Sequence, residues 1–223
     1  MSLRGIESIL PESCRCSHGS SFSFSFQEEY SLHNVITANG NAQSLEGFMN
    51  LAVESVYQAG LSFIGQNYGA NKKDNIKKVM KLTFLAVSLV CVAMAAVMIP
   101  LRRIFLAIYN TDPDIITQGE LRMIINGSFY FIFGWMQVFV SYLRGMGHGV
   151  LPVVVSIMGV CVFRIIWIFT VFPLSPTLLT VYLSYPISWA ITAATHLICY
   201  FIVRKKTYEK MNEEYLARKQ INE

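Results

Sequence analysis

Four long runs of the chain are almost wholly apolar: Met80–Leu101, Met123–Leu143, Val150–Phe172 and Leu178–Val203. A helix that crosses a bilayer needs about 20 such residues, which each run supplies. A fifth stretch, near Gln43–Gln66, is patterned differently. Its polar residues recur at four-residue steps as Glu46, Asn50, Glu54, Gln58 and Ser62, with Gln43 and Gln66 near its ends. Residues four apart share one helical face. Leu45, Phe48, Met49, Val53 and Val56 make the rest apolar. In lipid the backbone must satisfy its own hydrogen bonds, and barrel strands are far shorter than these runs. The pattern therefore predicts an all-α, polytopic transmembrane bundle of about five spans over residues 41–203. Pro186 lies inside the last span and is expected to kink it. A tail over 204–223 mixes Lys, Arg and Glu at helical spacings and reads as a solvated cytoplasmic helix end. Residues 1–40 fit none of this. Ser20–Phe26 alternates Ser and Phe, but a lone strand beside a helical bundle has nothing to pair with. An irregular or disordered extension is expected there; a second reading is that a helix once stood here and was lost.

Composition agrees with the membrane reading. Charged residues are 14% of the chain and hydrophobic ones 53%, with a mean hydropathy of +0.44. Soluble domains carry roughly 25% charged residues. The net charge of +4 sits beside the apolar runs, which suggests orientation in a membrane and not nucleic-acid binding. Lys72, Lys73, Lys77, Lys78 and Lys81 face Asp74 alone in the first connector. The second connector mixes Arg102 and Arg103 with Asp112, Asp114 and Glu120. The third holds Arg144, the fourth is uncharged, and the tail opens Arg204-Lys205-Lys206. The positive-inside rule places the first and third connectors and the C-terminus in the cytoplasm. With five spans the N-terminus is then outside, although no apolar run precedes residue 40 to carry it there. Cys91, Cys161 and Cys199 read as small packing residues. Cys14 and Cys16 lack the partners a zinc site needs, so no metal is expected.

Charge within a span is costly and marks a bundle interior or a water-filled path. Glu54 falls roughly 18 Å from the cytoplasmic end of its helix, near the midplane where transporter sites sit. Arg164 lies roughly 12 Å from the outer end of its own span and can reach the depth of Glu46 or Glu54. Two readings stand: a buried ion pair that fixes packing, or a carboxylate whose proton or cation occupancy changes. Burial raises a carboxylate pKa and a guanidinium lowers it. Asn126, Gln137 and Ser141 suit hydrogen bonding between helices. His196 suits a structural role or a proton carrier. No phosphate loop, zinc pair or nucleophile–base set is visible, so no enzyme is expected. Gly145, Gly147 and Gly149 read as a flexible turn.

Two segments carry a family resemblance. Ala59–Ala70, containing Gly65-Gln66-Asn67-Tyr68-Gly69, ends one span. Leu143–Pro152, containing Arg144-Gly145-Met146-Gly147, joins two others. Together with Asn41–Phe48 they resemble the multidrug and toxic compound extrusion (MATE) antiporters over residues 35–205. Members have about twelve spans in two lobes, which rock around a central cavity. They exchange cationic or amphipathic organic compounds for Na+ or H+, and need no other cofactor. The resemblance makes this chain the second lobe from its second helix onward. It implies a multi-pass protein of a bacterial cell membrane, acting as part of a secondary exporter of drugs or other organic cations. The partner implied is the absent first lobe or a second copy, in contact with membrane lipid. Gly65, Gln66, Gly69, Arg144, Gly145 and Gly147 are then structural motif residues. The substrate or cation pathway falls to Glu46, Asn50, Glu54, Gln58 and Arg164. The family's ion-binding aspartate has no match, because Met123–Leu143 contains no carboxylate. Two alternatives remain: a non-transporting membrane interaction protein, and a lipid-linked oligosaccharide flippase of related fold, whose cavity would be strongly basic.

Overall fold

The computed structural model describes residues 19–174 and 177–222. Every element among them is helical: α1 (Gly19–Gly69), α2 (Lys73–Tyr109), α3 (Pro113–Gly145), α4 (Val150–Ser156), a π-helical stretch (Ile157–Val162), α5 (Phe163–Thr170), a 3-10 turn (Phe172–Leu174) and α6 (Leu178–Asn222). The stretch from α4 to the 3-10 turn makes one continuous apolar rod, the α4–α5 rod. The connectors are short because their chemistry stops helices cleanly. Asn71 adopts a positive φ after α1. Asp112 caps α3 by accepting from the Asp114 amide at 2.9 Å, with Pro113 in the first turn. Gly147, at φ +85°, turns the chain after α3.

Four helices are long and apolar enough to cross a membrane: Lys73–Tyr109, Pro113–Gly145, Val150–Leu174 and Leu178–Glu213. The more polar α1 reaches the same depth by packing. It runs parallel to α3, with Ala38 beside Gly119 and Ile64 beside Gly145. That is roughly 40 Å of shared length at 1.5 Å per residue, enough to span a bilayer. The expected bundle of about five spans therefore holds, with α1 differing in composition.

The hub is α3. Its buried positions face α1, α2 and α6 in turn, and its small residues let the neighbours close in. A Cβ on Gly134 would sit 2.5 Å from Val87 of α2, and one on Gly145 would sit 2.7 Å from Ile64 of α1. Such close backbone approach replaces the hydrophobic drive that lipid cannot supply. Tyr130, Phe139 and Tyr142 of α3 interlock with Trp189 and Tyr200 of α6. The outward faces are apolar, as a lipid-facing surface must be: Leu82, Leu85, Leu89 and Val92 on α2, and Ile165, Ile166 and Phe169 on α5.

Three expectations need correction. Residues 19–40 are helix, continuous with the first span, where an irregular extension is expected; no proline interrupts Gly19–Gly40, and the helix is in the core from Asn34 onward. Cys14 and Cys16 lie outside the described residues. Second, the start of the tail is docked and not simply solvated. Lys73 donates to the Tyr208 carbonyl at 3.0 Å and to Asn212, Asn71 donates to the Met211 carbonyl at 3.1 Å, and Met211 is buried. Third, Cys91 is a core residue, but Cys161 is exposed on the π-helical stretch.

Candidate functional site: a polar groove beside α3

The polar stripe on α1 does not face the core. The buried face is Ala38, Ala42, Leu45, Met49, Val53, Tyr57 and Ile64, packed on α3. A four-residue step advances about 40° around a helix of 3.6 residues per turn, so the stripe winds away from that face. Asn50, Gln58 and Ser62 are exposed, while Glu46 and Glu54 are half-buried at its edge. Phe48, expected on the apolar side, is exposed as well.

Toward the mixed-charge end, Glu46 is tied into α3. Arg122 grips it with both arms of its fork, Nε to Oε1 at 2.9 Å and Nη2 to Oε2 at 2.8 Å. Asn126 Nδ2 donates to Oε1 at 2.8 Å. Arg122 Nη1 donates back to Asn39 Oδ1 on α1 at 3.0 Å. Bidentate geometry and the added amides are what make a buried ion pair tolerable. Arg122 and Asn126 share one face of α3 by their four-residue spacing. The expected partner, Arg164, is elsewhere. It donates Nε to Ser188 Oγ at 3.2 Å, and its guanidinium lies 3.9 Å from the centre of the Tyr185 ring. Arg122 approaches that ring to 5.1 Å. Arg122 escapes a reading confined to apolar runs because it stands one residue before Met123; the Arg122–Asn126 spacing was the available signal.

Toward the basic end the groove widens into a cleft of about 240 Å³. Glu54 and Tyr57 of α1, Gln137, Val140 and Arg144 of α3, and Val153 and Ser156 of α4 line it. Gln58 donates to Glu54 Oε1 at 2.7 Å, and Arg144 donates to the Tyr57 hydroxyl at 2.9 Å. Ser156 pairs with the fully buried His196 of α6 at 3.2 Å, which gives His196 a packing role. A carboxylate can accept about four hydrogen bonds. Glu46 accepts three, two from Arg122 and one from Asn126; Glu54 receives only Gln58 among the described residues. The cleft thus leaves acceptor sites open at Glu54 among the described residues, while Glu46 is held by α3.

The motif residues meet at the basic end. Gly145 abuts Ile64, Gly65 faces the Gly145 carbonyl, and Arg144 reaches Tyr57. The two segments of the resemblance therefore pack against each other and fix the floor of the cleft. Gln66 donates within its own helix to Ser62, and Gly69 closes α1. Ser141 bonds inside α3, while Asn126 joins α3 to α1. Among the described residues no group of three or more His, Cys, Asp or Glu is placed to hold a metal.

The model of the MatE family matches residues 32–170, more than half of the chain. No curated protein matches it. The chain belongs to the MatE family.

Proposed function

We propose that this member of the MatE family forms one lobe of a secondary transporter that exports organic cations or amphipathic compounds in exchange for Na+ or H+. The single observation that carries this reading is the contrast between the two carboxylates of α1. Glu46 accepts three hydrogen bonds from α3, and Glu54 stands half-buried in a cleft and accepts one among the described residues. A group that must bind and release an ion needs that freedom. Glu54 exchanges the coupling ion against a cationic substrate, since both compete for one negative charge. Arg144, which also lines the cleft, donates to the Tyr57 hydroxyl and makes no ion pair with Glu54 among the described residues. Alternating access follows when a facing lobe, a first lobe or a second copy, rocks over the groove. Asn50 and Gln58, exposed on this chain, then line the shared cavity in a cell membrane, with the basic end cytoplasmic.

The test is efflux of a fluorescent cationic dye from cells that express the chain, alone and together with a first lobe from another family member. Export above vector that disappears in Glu54→Gln is expected. Export unchanged by Glu54→Gln, with the protein present in the membrane, removes Glu54 from the pathway.

A further inference from the structure

Arg164 is a cation without an ion-pair partner among the described residues. Ion pairs among the described residues join Lys77 to Asp74, Arg102 to Glu120 and Arg122 to Glu46. None includes Arg164. Its Nε is placed by Ser188, whose hydroxyl in turn donates to the Tyr185 carbonyl at 2.8 Å. Its guanidinium carbon lies 3.9 Å from the centre of the Tyr185 ring. The Nη groups of its fork meet no acceptor among the described residues, and they are not sealed off. Glu46, a carboxylate that acts on Arg164 electrostatically, is already held by Arg122. Two guanidinium groups thus share one aromatic ring with one carboxylate between them, and the excess charge is at Arg164. A charge at this depth is costly unless it is paired. Cation–π contact lowers that cost and fixes the plane of the fork, but it fills none of the outer donors.

We infer that Arg164, oriented by Ser188 and Tyr185, is a binding site for an oxyanion, a carboxylate or a phosphate. A planar fork held at one nitrogen and on one face presents its remaining edge, the arrangement that oxyanions take up in two parallel bonds. The source is either a soluble substrate that carries an anionic group or the headgroup of an anionic lipid. For the first source the inference rests on the transport reading and extends it. A cargo that spans the groove then carries a cation toward Glu54 and an anion at Arg164. Binding itself does not depend on that reading.

Trp189 lies 6.2 Å from Tyr185, ring centre to ring centre, and provides the reporter. The full-length chain in phosphatidylcholine nanodiscs is titrated with acetate and with inorganic phosphate at constant ionic strength, following tryptophan fluorescence. The same protein is compared in nanodiscs containing phosphatidylglycerol. A saturable change with the soluble anions in neutral lipid assigns the site to soluble ligands. A change produced by phosphatidylglycerol alone assigns it to a headgroup. Either supports the site if Arg164→Gln weakens it roughly tenfold or more, as loss of a charged hydrogen-bond donor does. Should that variant fail to fold by circular dichroism, Arg164→Lys keeps the charge and loses the fork, and a several-fold weakening is expected. Equal responses in wild type and in the folded variant overturn the inference, as does the absence of any saturable response in either lipid. If anion binding holds while dye efflux is absent, the transport reading fails and the site stands.

Discussion

The two ends of the groove use the same side chains to opposite effect. Glu46 and Glu54 lie on one stripe of α1, yet Glu46 is knotted to α3 and Glu54 is left open in a cleft. The difference comes from α3. Opposite Glu46 it offers Arg122 and Asn126, one turn apart. Opposite Glu54 it offers Gln137 and Val140, with Arg144 turned to Tyr57. Whether a carboxylate on α1 is tied or left open is set by the helix that it meets, and not by its own helix. Arg164 is the third case, a charge met by a ring and a hydroxyl, with no ion pair among the described residues.

The comparison breaks most visibly if the knot is cut. Arg122→Gln leaves Glu46 charged, partly buried and without its fork, and should destabilise the chain by about 3–5 kcal/mol. Thermal unfolding of purified protein, followed by circular dichroism in detergent, measures this. The double change Glu46→Gln with Arg122→Gln should recover a large part of the loss, because no unpaired charge remains. If Arg122→Gln is as stable as wild type, Glu46 is not held as described, and both carboxylates become pathway candidates.

Much of this was legible in the sequence, and what escaped has physical reasons. The four apolar spans follow from composition alone, since lipid demands long apolar helices. Gly65–Gly69 and Arg144–Gly147 could be picked out as motifs through their resemblance to the MATE antiporters. Their contact at Ile64 and Gly145 could not, since it depends on α1 running parallel to α3. The helix over Gly19–Gly40 was hidden because alternating Ser and Phe imitates a strand, although nothing there breaks a helix. The pairing of Glu46 was misjudged for want of register: depth alone allows Arg164, and only the packing of α1 on α3 selects Arg122.

Smaller effects sharpen the contrast between the helix contacts that build the groove's walls. Gly159 of the π-helical stretch lies against Thr192 of α6, with no room for a Cβ between them. Gly134 is similarly closed against Val87. Each Gly→Ala change should cost about 1–3 kcal/mol by overpacking, read in the same thermal assay. The two should differ in consequence. Gly134→Ala strains the α2–α3 contact away from the groove, so efflux per folded molecule should be retained. Gly159→Ala pushes the α4–α5 rod from α6, beside Ser156 and Arg164, so efflux and anion binding should both fall. Equal losses in the two variants would mean that the rod does not set the groove's width.

The smallest expected effect on stability is the most informative about Glu54. Gln58→Ala removes the hydrogen bond to Glu54 Oε1, the one contact that orients this carboxylate among the described residues. Gln58 is exposed and Glu54 only half-buried, so water replaces the lost donor on both sides. Stability should therefore change by no more than about 1 kcal/mol, the net worth of a solvent-accessible hydrogen bond. Transport should suffer more than stability does. A carboxylate free to rotate meets a proton or cation in many poses, so dye efflux should fall several-fold while the amount of folded protein stays constant. Alanine at Ser55 provides the control, because Ser55 is exposed on the same helix and its hydroxyl donates to the Leu51 carbonyl and to neither carboxylate. If Gln58→Ala instead unfolds the chain as readily as Arg122→Gln, Glu54 is a packing residue like Glu46. The two ends of the groove would then differ only in depth, and the open carboxylate would no longer mark the pathway.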